Sequence, residues 1–112
     1  MKKKDNCIRI PRDFVNRQCF KNANELSVLL YCIASASKEV EPVNGVTVNR
    51  GQLYVLRYDL AKATGLSEYA ANKALLSLFV TGKLSVKCLR RGYAGYLITV
   101  NNFEVYQDGD GS

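Results

Sequence analysis

The chain has 112 residues, of which 47% are hydrophobic and 23% charged, a composition typical of one folded globular domain and not of a disordered chain. It contains no histidine, which excludes Ser-His and Cys-His nucleophiles, and it lacks the glycine-rich loops that cradle nucleotide phosphates. Sixteen Lys and Arg against ten Asp and Glu leave a net charge of +6, which favours a polyanion such as DNA as partner but also suits an ordinary solvated surface. We therefore expect no enzyme, no catalytic residue and no cofactor.

The N-terminal part of the chain is predicted to contain one central helix, over residues 23–37. Asn22 is suited to cap it, with Glu25 three residues later as in a capping box. Val28 and Tyr31 lie nearly opposite the main apolar face, so we expect a helix that is apolar on both sides and anchors the core. The residues of the main face follow the 3.6-residue period: Leu26, Leu29, Leu30, Ile33 and Ala36.

Short strands and loops are predicted around this helix. Residues 1–6 are expected to be a flexible basic arm, and residues 7–10 a short strand ended by proline. Residues 38–45 contain proline, asparagine and glycine, so they are predicted to be a loop. Strands are predicted over 46–48 and 52–56.

The C-terminal half alternates helix and strand signals. A short helix over 58–64 is followed by a second helix over 68–81, and β-type runs cover 84–89 and 96–100. The two runs are joined by a basic turn with two glycines, as in a hairpin. The segment NFEVYQ is expected to pack back on the body, before a solvated tail over residues 108–112. One domain over 7–107 is predicted, with no second domain.

The two helices before the hairpin have the pattern of a helix-turn-helix over about 57–81. Gly65 allows positive φ at the turn, Leu66 fills the gap between the helices, and Ser67 caps the second helix. Leu60 and Ala61 share one face of the first helix. The second helix has an apolar arc of about 100° formed by Ala71, Ala74, Leu75 and Leu78. The opposite face is therefore free, and the hairpin over about 84–100 would form a wing.

These segments resemble the small winged helix-turn-helix domains encoded by bacteriophages and mobile elements, such as the N-terminal domains of replisome-organiser proteins and prophage transcription regulators. The resemblance lies in RGQLYVLRYDLAKATGLSEYAANKALLSLFVTGKL, residues 50–84, and in ITVNNFEVYQ, residues 98–107. It implies an α+β winged helix-turn-helix fold of three or four helices with a small antiparallel sheet. It also implies binding of double-stranded DNA in transcription regulation or replication initiation, in a bacterial cytoplasm.

In such a complex the helix segment 67–77 would enter the major groove and the wing would contact phosphates or the minor groove. Asn72 would pair bidentately with adenine, Lys73 would reach guanine or a phosphate, and Tyr69 would pack on a thymine methyl or a sugar. Lysines 2–4 and Lys62 would add phosphate contacts. The predicted DNA-binding residues are Ser67, Tyr69, Asn72, Lys73, Ser77, Arg90, Arg91 and Tyr93. Their alternative role is that of an ordinary solvated face and a charged hairpin tip.

Part of the presumed recognition helix is apolar on its free side, which leaves another function open. Tyr69, Leu76 and Val80 lie away from the core arc, and Phe79 and Val80 stand where relatives usually have charged residues. Such a stripe suits a protein surface better than a phosphate backbone. The alternative is therefore an interaction module that binds a second copy or a replication or transcription protein, without contacting DNA.

The four cysteines do not suggest a metal site. Cys7, Cys19, Cys32 and Cys88 include no C-x-x-C pair, and the zinc ligand histidine is absent. Cys32 and Cys88 lie in apolar runs and are expected to be small core residues in a reducing cytosol. No apolar run approaches the roughly 20 residues that span a bilayer, so no membrane contact is expected.

Overall fold

A computed structural model of the chain describes residues 8–16, 22–43, 45–89 and 95–107. Its elements are α1 (Ala23–Ser35), β1 (Glu41–Val43), β2 (Val46–Val48), β3 (Gln52–Leu56), α2 (Arg57–Thr64), α3 (Glu68–Val80), β4 (Leu84–Leu89) and β5 (Gly95–Val100), with short 3₁₀ helices at Arg12–Asn16 and Phe103–Tyr106. The protein is thus α+β with small antiparallel sheets, as predicted. This order is compatible with a winged helix-turn-helix.

The main sheet has three antiparallel strands in the order β3-β5-β4. Leu53 and Val86 both pair with Ile98 of the central strand, and Val55 pairs with Tyr96, so these apolar side chains share one face. Ile98 is fully buried on that face. The predicted hairpin of β4 and β5 is confirmed up to the pair Leu89–Gly95. A separate two-stranded hairpin of β1 and β2 precedes the sheet.

The three helices cover the apolar face of the sheet and supply half of the buried core residues. Leu60 and Ala61 of α2 are buried, as predicted. The predicted arc of α3 is confirmed in full, because its buried residues are Ala71, Ala74, Leu75 and Leu78. The buried residues of α1 are Val28, Leu29, Cys32 and Ile33. Helix α1 therefore anchors the core. Its buried face includes Val28 and Cys32 in addition to Leu29 and Ile33 of the predicted face.

Several boundaries differ from the sequence predictions, including the starts of α2 at Arg57 and of β5 at Gly95, each one residue before the predicted start. Residues 38–45 are not entirely loop, since Glu41–Val43 forms β1 and pairs with β2. Ile8 makes a single antiparallel bridge to Gln107 in place of the strand predicted over 7–10. The helices α1 and α3 end at Ser35 and Val80, slightly before their predicted ends. The missed strand contains a proline, which sequence patterns place in turns but which an edge strand accommodates.

The C-terminal segment packs back on the body, as predicted. Phe103 and Tyr106 are buried, and the Tyr106 carbonyl accepts a 2.7 Å hydrogen bond from the Arg9 N–H. Arg50 donates to both oxygens of Glu104, at 2.6 and 2.9 Å, and its guanidinium lies 5.3 Å from the Phe103 ring centroid. These contacts attach the end of the described chain to the loop before β3.

Among the described residues, no helix has the length and apolar character needed to cross a bilayer. The predicted arm over residues 1–6 and the tail over 108–112 lie outside the described residues.

Candidate nucleic-acid interface

The turn between α2 and α3 has the geometry expected of a helix-turn-helix. Gly65 adopts φ +75°, which L side chains rarely adopt, and its N–H donates to the carbonyls of Ala61 and Lys62. The Leu66 N–H also donates to the Ala61 carbonyl, at 3.0 Å, and the Leu66 side chain packs against the core. The chain therefore reverses within three residues, and the start of α3 is fixed relative to α2.

Ser67 caps α3, as predicted. Its hydroxyl oxygen accepts a 3.0 Å hydrogen bond from the Ala70 N–H, which satisfies one of the free amides of the first helical turn. Ser67 itself is exposed. By contrast α2 has no side-chain cap, because Leu56 occupies that position and only Asp59 in the first turn complements the helix dipole.

The face of α3 opposite the core presents Tyr69 and Lys73. Both are exposed, and the Tyr69 side chain is 75% accessible. They stand four residues apart and hence one above the other on the helix surface. These are the two predicted groove-facing residues that the structure leaves free to meet a partner.

Two parts of the sequence are strongly basic: residues 1–21, and residues 57–91, which form the helix-turn-helix and the hairpin. Residues 57–91 contain seven Lys and Arg but two Asp and Glu, which gives them a net charge of +5, and residues 1–21 have the same net charge. Within 57–91, Arg57, Lys62, Lys73 and Lys87 are exposed. Residues 22–56, by contrast, contain two basic and three acidic residues. The charge asymmetry favours a polyanion at the helix-turn-helix and hairpin.

Asn72 is not a free side chain, because β5 holds it by a hydrogen bond. The hydroxyl of Tyr96 donates to the Asn72 Oδ1 at 2.6 Å. A bidentate contact with adenine requires that oxygen as an acceptor. The predicted contact between Asn72 and adenine would therefore compete with the hydrogen bond from Tyr96. Periodicity alone did not show this, although a tyrosine in the apolar strand over 96–100 signals a hydroxyl that needs a partner.

Ser77 is also engaged within the protein. Its hydroxyl donates to the Glu25 carboxylate at 2.8 Å, which ties α3 to the start of α1. This places an anion on the flank of α3, where a phosphate would be repelled. A contact between Ser77 and DNA stays a prediction, and it would compete with this hydrogen bond. The same two residues line a cleft of about 280 Å³ between α1 and α3, together with Tyr69 and Lys73.

The hairpin of β4 and β5 forms the second part of the candidate interface. Its tip residues Arg90, Arg91 and Tyr93 lie outside the described residues. Lys87 projects from the exposed part of β4. Cys88 was predicted to be a core residue, but it is exposed. Burial on this face declines from Leu84 through Val86 to Cys88, because the far end of the edge strand extends past the core.

The C-terminal half of α3 is apolar and exposed. Leu76 and Val80 are 52% and 80% accessible, and Phe79 beside them is about half exposed. Together with Tyr69 they form the apolar ridge of α3. The sequence prediction of an apolar stripe away from the core is thus confirmed.

Cys32 is the other cysteine that the structure describes, and it is buried as predicted, while Cys7 and Cys19 lie outside the described residues. Burial raises the pKa of the Cys32 thiol to about 12, so it is protonated at neutral pH. Within the described ranges, no group of three His, Cys, Asp or Glu residues is arranged to hold a metal ion.

Comparison of the chain with protein-family models, with curated proteins and with solved structures gives no significant match. The function must therefore be argued from the arrangement of its own residues.

Proposed function

We propose that the chain is a winged helix-turn-helix protein that binds double-stranded DNA, in the transcription regulation or replication initiation of a bacteriophage or mobile element. The observation that supports DNA binding is the net charge of +5 of residues 57–91, which include a side-chain-capped helix with an exposed lysine. The biological setting rests on the sequence resemblance.

In this mechanism α3 and the hairpin of β4 and β5 contact different parts of the duplex. The first half of α3 enters the major groove, which has the width of one α-helix, with Tyr69 and Lys73 leading. The strands β4 and β5 run beside α3 to the hairpin tip, and Lys87 is exposed on the face of β4 that points away from the helices. The sequence puts Arg90 and Arg91 directly after β4, where two adjacent guanidinium groups suit a phosphate pair or a narrow minor groove.

Binding to duplexes of random sequence, measured by fluorescence anisotropy over a series of salt concentrations, tests this proposal. The wild type should bind with an affinity that falls steeply with salt. Lys73→Gln should weaken binding and reduce the slope of log K against log salt by about 0.9 if Lys73 neutralises one phosphate. Arg90→Ala with Arg91→Ala should reduce it further.

Lys38→Gln is the matched control for Lys73→Gln. It removes the same charge at the other end of α1. Lys38 follows the C-terminal end of α1, whereas Lys73 lies near the N-terminal end of α1. Its salt slope should equal that of the wild type. Equal effects of the two variants would show that only net charge matters and would contradict the proposed interface. Duplex binding that does not respond to salt would also contradict it.

A second candidate function is supported by the apolar ridge of α3. A protein-interaction module would cover Leu76 and Val80 with a second copy or another protein, and α3 would then not reach DNA. Sedimentation analysis separates the two functions. Self-association that is insensitive to salt and is abolished by Leu76→Asp, without duplex binding, would favour the interaction module over DNA binding.

A further inference from the structure

Tyr96 is a buried tyrosine whose hydroxyl must be satisfied within the protein. It lies on the core face of β5, paired with Val55 on one side and Cys88 on the other, and is only 5% accessible. A buried phenol without a partner is costly. The hydroxyl donates to Oδ1 of Asn72 at 2.6 Å, which is a short hydrogen bond across the junction of α3 and the sheet.

This hydrogen bond fixes the orientation of the Asn72 amide. An asparagine amide has one oxygen that accepts and one nitrogen that donates two hydrogen bonds. The oxygen is directed to Tyr96, so the Nδ2 group occupies the other branch of the planar amide, away from the sheet. Asn72 is half-buried, on the border between the core arc of α3 and its exposed face. It therefore offers donors to that exposed face and keeps its acceptor inside.

We propose that Tyr96 is a positioning residue for DNA recognition, which makes Asn72 a donor to the major groove. The inference rests on the proposed DNA binding and specifies its base preference. Asn72 then selects a base edge that presents acceptors, namely guanine N7 and O6 or thymine O4. Adenine is disfavoured, because the amide nitrogen can reach only its N7, while the oxygen that its N6 amino group needs is turned towards Tyr96.

Selection from a randomised duplex library tests the inference. The wild type, Asn72→Ala and Tyr96→Phe are compared, and the position that loses its preference in Asn72→Ala is the one that Asn72 reads. The wild type should prefer guanine or thymine there. Tyr96→Phe releases Oδ1, so the adenine preference at that position should rise by about 5-fold or more. A stabilising residue without a positioning role would not change the base preference.

Tyr54→Phe is the matched control. Tyr54 lies in β3 on the opposite face of the sheet, so removing its hydroxyl should leave the preferred sequence unchanged. Three outcomes would overturn the inference: adenine preferred by the wild type at the Asn72 position, an unchanged preference in Tyr96→Phe, or a loss in Asn72→Ala that is equal for all sequences. The last would mean that Asn72 contacts a phosphate.

Asn72→Asp provides a test that does not require DNA. A carboxylate keeps the acceptor for Tyr96 and strengthens the hydrogen bond, whereas alanine removes it. The melting temperature of Asn72→Asp should therefore equal or exceed that of the wild type, while its duplex affinity should fall by about 10-fold. Destabilisation equal to that of Asn72→Ala would show that Tyr96 is not the donor and would overturn the inference.

The failures of the inference and of the proposed function can be told apart. If the wild type shows no salt-sensitive duplex binding, both the proposed function and the inferred base preference are refuted. If the wild type binds duplex but Tyr96→Phe selects the same sequences, only the inference is refuted.

Discussion

Replacing Gly65 by alanine tests whether the turn that presents α3 depends on backbone conformation alone. Gly65 adopts φ +75°, and a Cβ atom built there would meet no atom within 4 Å. The steric cost is therefore absent, and the cost of placing an L-residue in the left-handed region remains, about 1–2 kcal/mol. For a domain of this size that corresponds to a fall in melting temperature of about 4–16 °C.

Gly51→Ala is the matched comparison, because it adds a steric cost to the same backbone cost. Gly51 has φ +85°, and its added Cβ would lie 3.1 Å from the Phe103 Cβ. Crowding of this kind costs a further 1–3 kcal/mol or so. Gly51→Ala should thus be clearly less stable than Gly65→Ala.

Urea and thermal unfolding followed by circular dichroism measure these differences. Gly65→Asn should recover part of the stability lost in Gly65→Ala, since asparagine enters the left-handed region more readily than other L-residues. A neutral Gly65→Ala, or an asparagine variant less stable than the alanine variant, would refute the reasoning. So would equal stability of the two alanine variants.

Three further predictions concern the body of the protein. Glu104→Gln should lower the melting temperature at neutral pH, because hydrogen bonds from Arg50 hold the pKa of the Glu104 carboxyl below its ordinary value. That stability is present above the ordinary pKa of about 4.3 and is lost as the pH falls through the lowered pKa. The melting temperatures of the wild type and Glu104→Gln should therefore converge in acid. A difference that persists in acid would contradict the stabilising role of the Glu104 carboxylate. Iodoacetamide should label exposed Cys88 in the folded protein but buried Cys32 only after unfolding, as read by peptide mass spectrometry, and equal labelling rates would contradict this expectation. Leu78→Ala should cost about 2–5 kcal/mol in urea unfolding, because Leu78 is fully buried, and a loss below about 1 kcal/mol would show that the core arc is misplaced.

Local signals predicted the elements of the C-terminal half well. The positions of α2 and α3, the caps at Gly65 and Ser67, and the buried arc of α3 follow from turn chemistry and from a helical period that a few neighbouring residues reveal. The β1 strand was missed because its pairing with β2, and not the propensity of a proline-containing segment, stabilises it.

The candidate site was predicted less completely than the fold. The exposure of Tyr69 and Lys73 follows from their position on α3. The hydrogen bonds of Asn72 and Ser77 join residues 24 and 52 positions apart in the chain, to Tyr96 and Glu25. No periodic pattern contains such pairs, and they change which side chains can face a duplex.

The sequence by itself determined the order of helices and strands, the turn at Gly65 and the net charge of +5 of residues 57–91, because each depends on neighbouring residues or on composition. Only the tertiary structure decided the orientation of the Asn72 amide, the pairing of Ser77 with Glu25 and the exposure of Cys88. The two hydrogen bonds depend on packing, which brings groups that are distant in the sequence within hydrogen-bond distance. The exposure of Cys88 depends on where the core ends along β4. Both are properties of the folded chain.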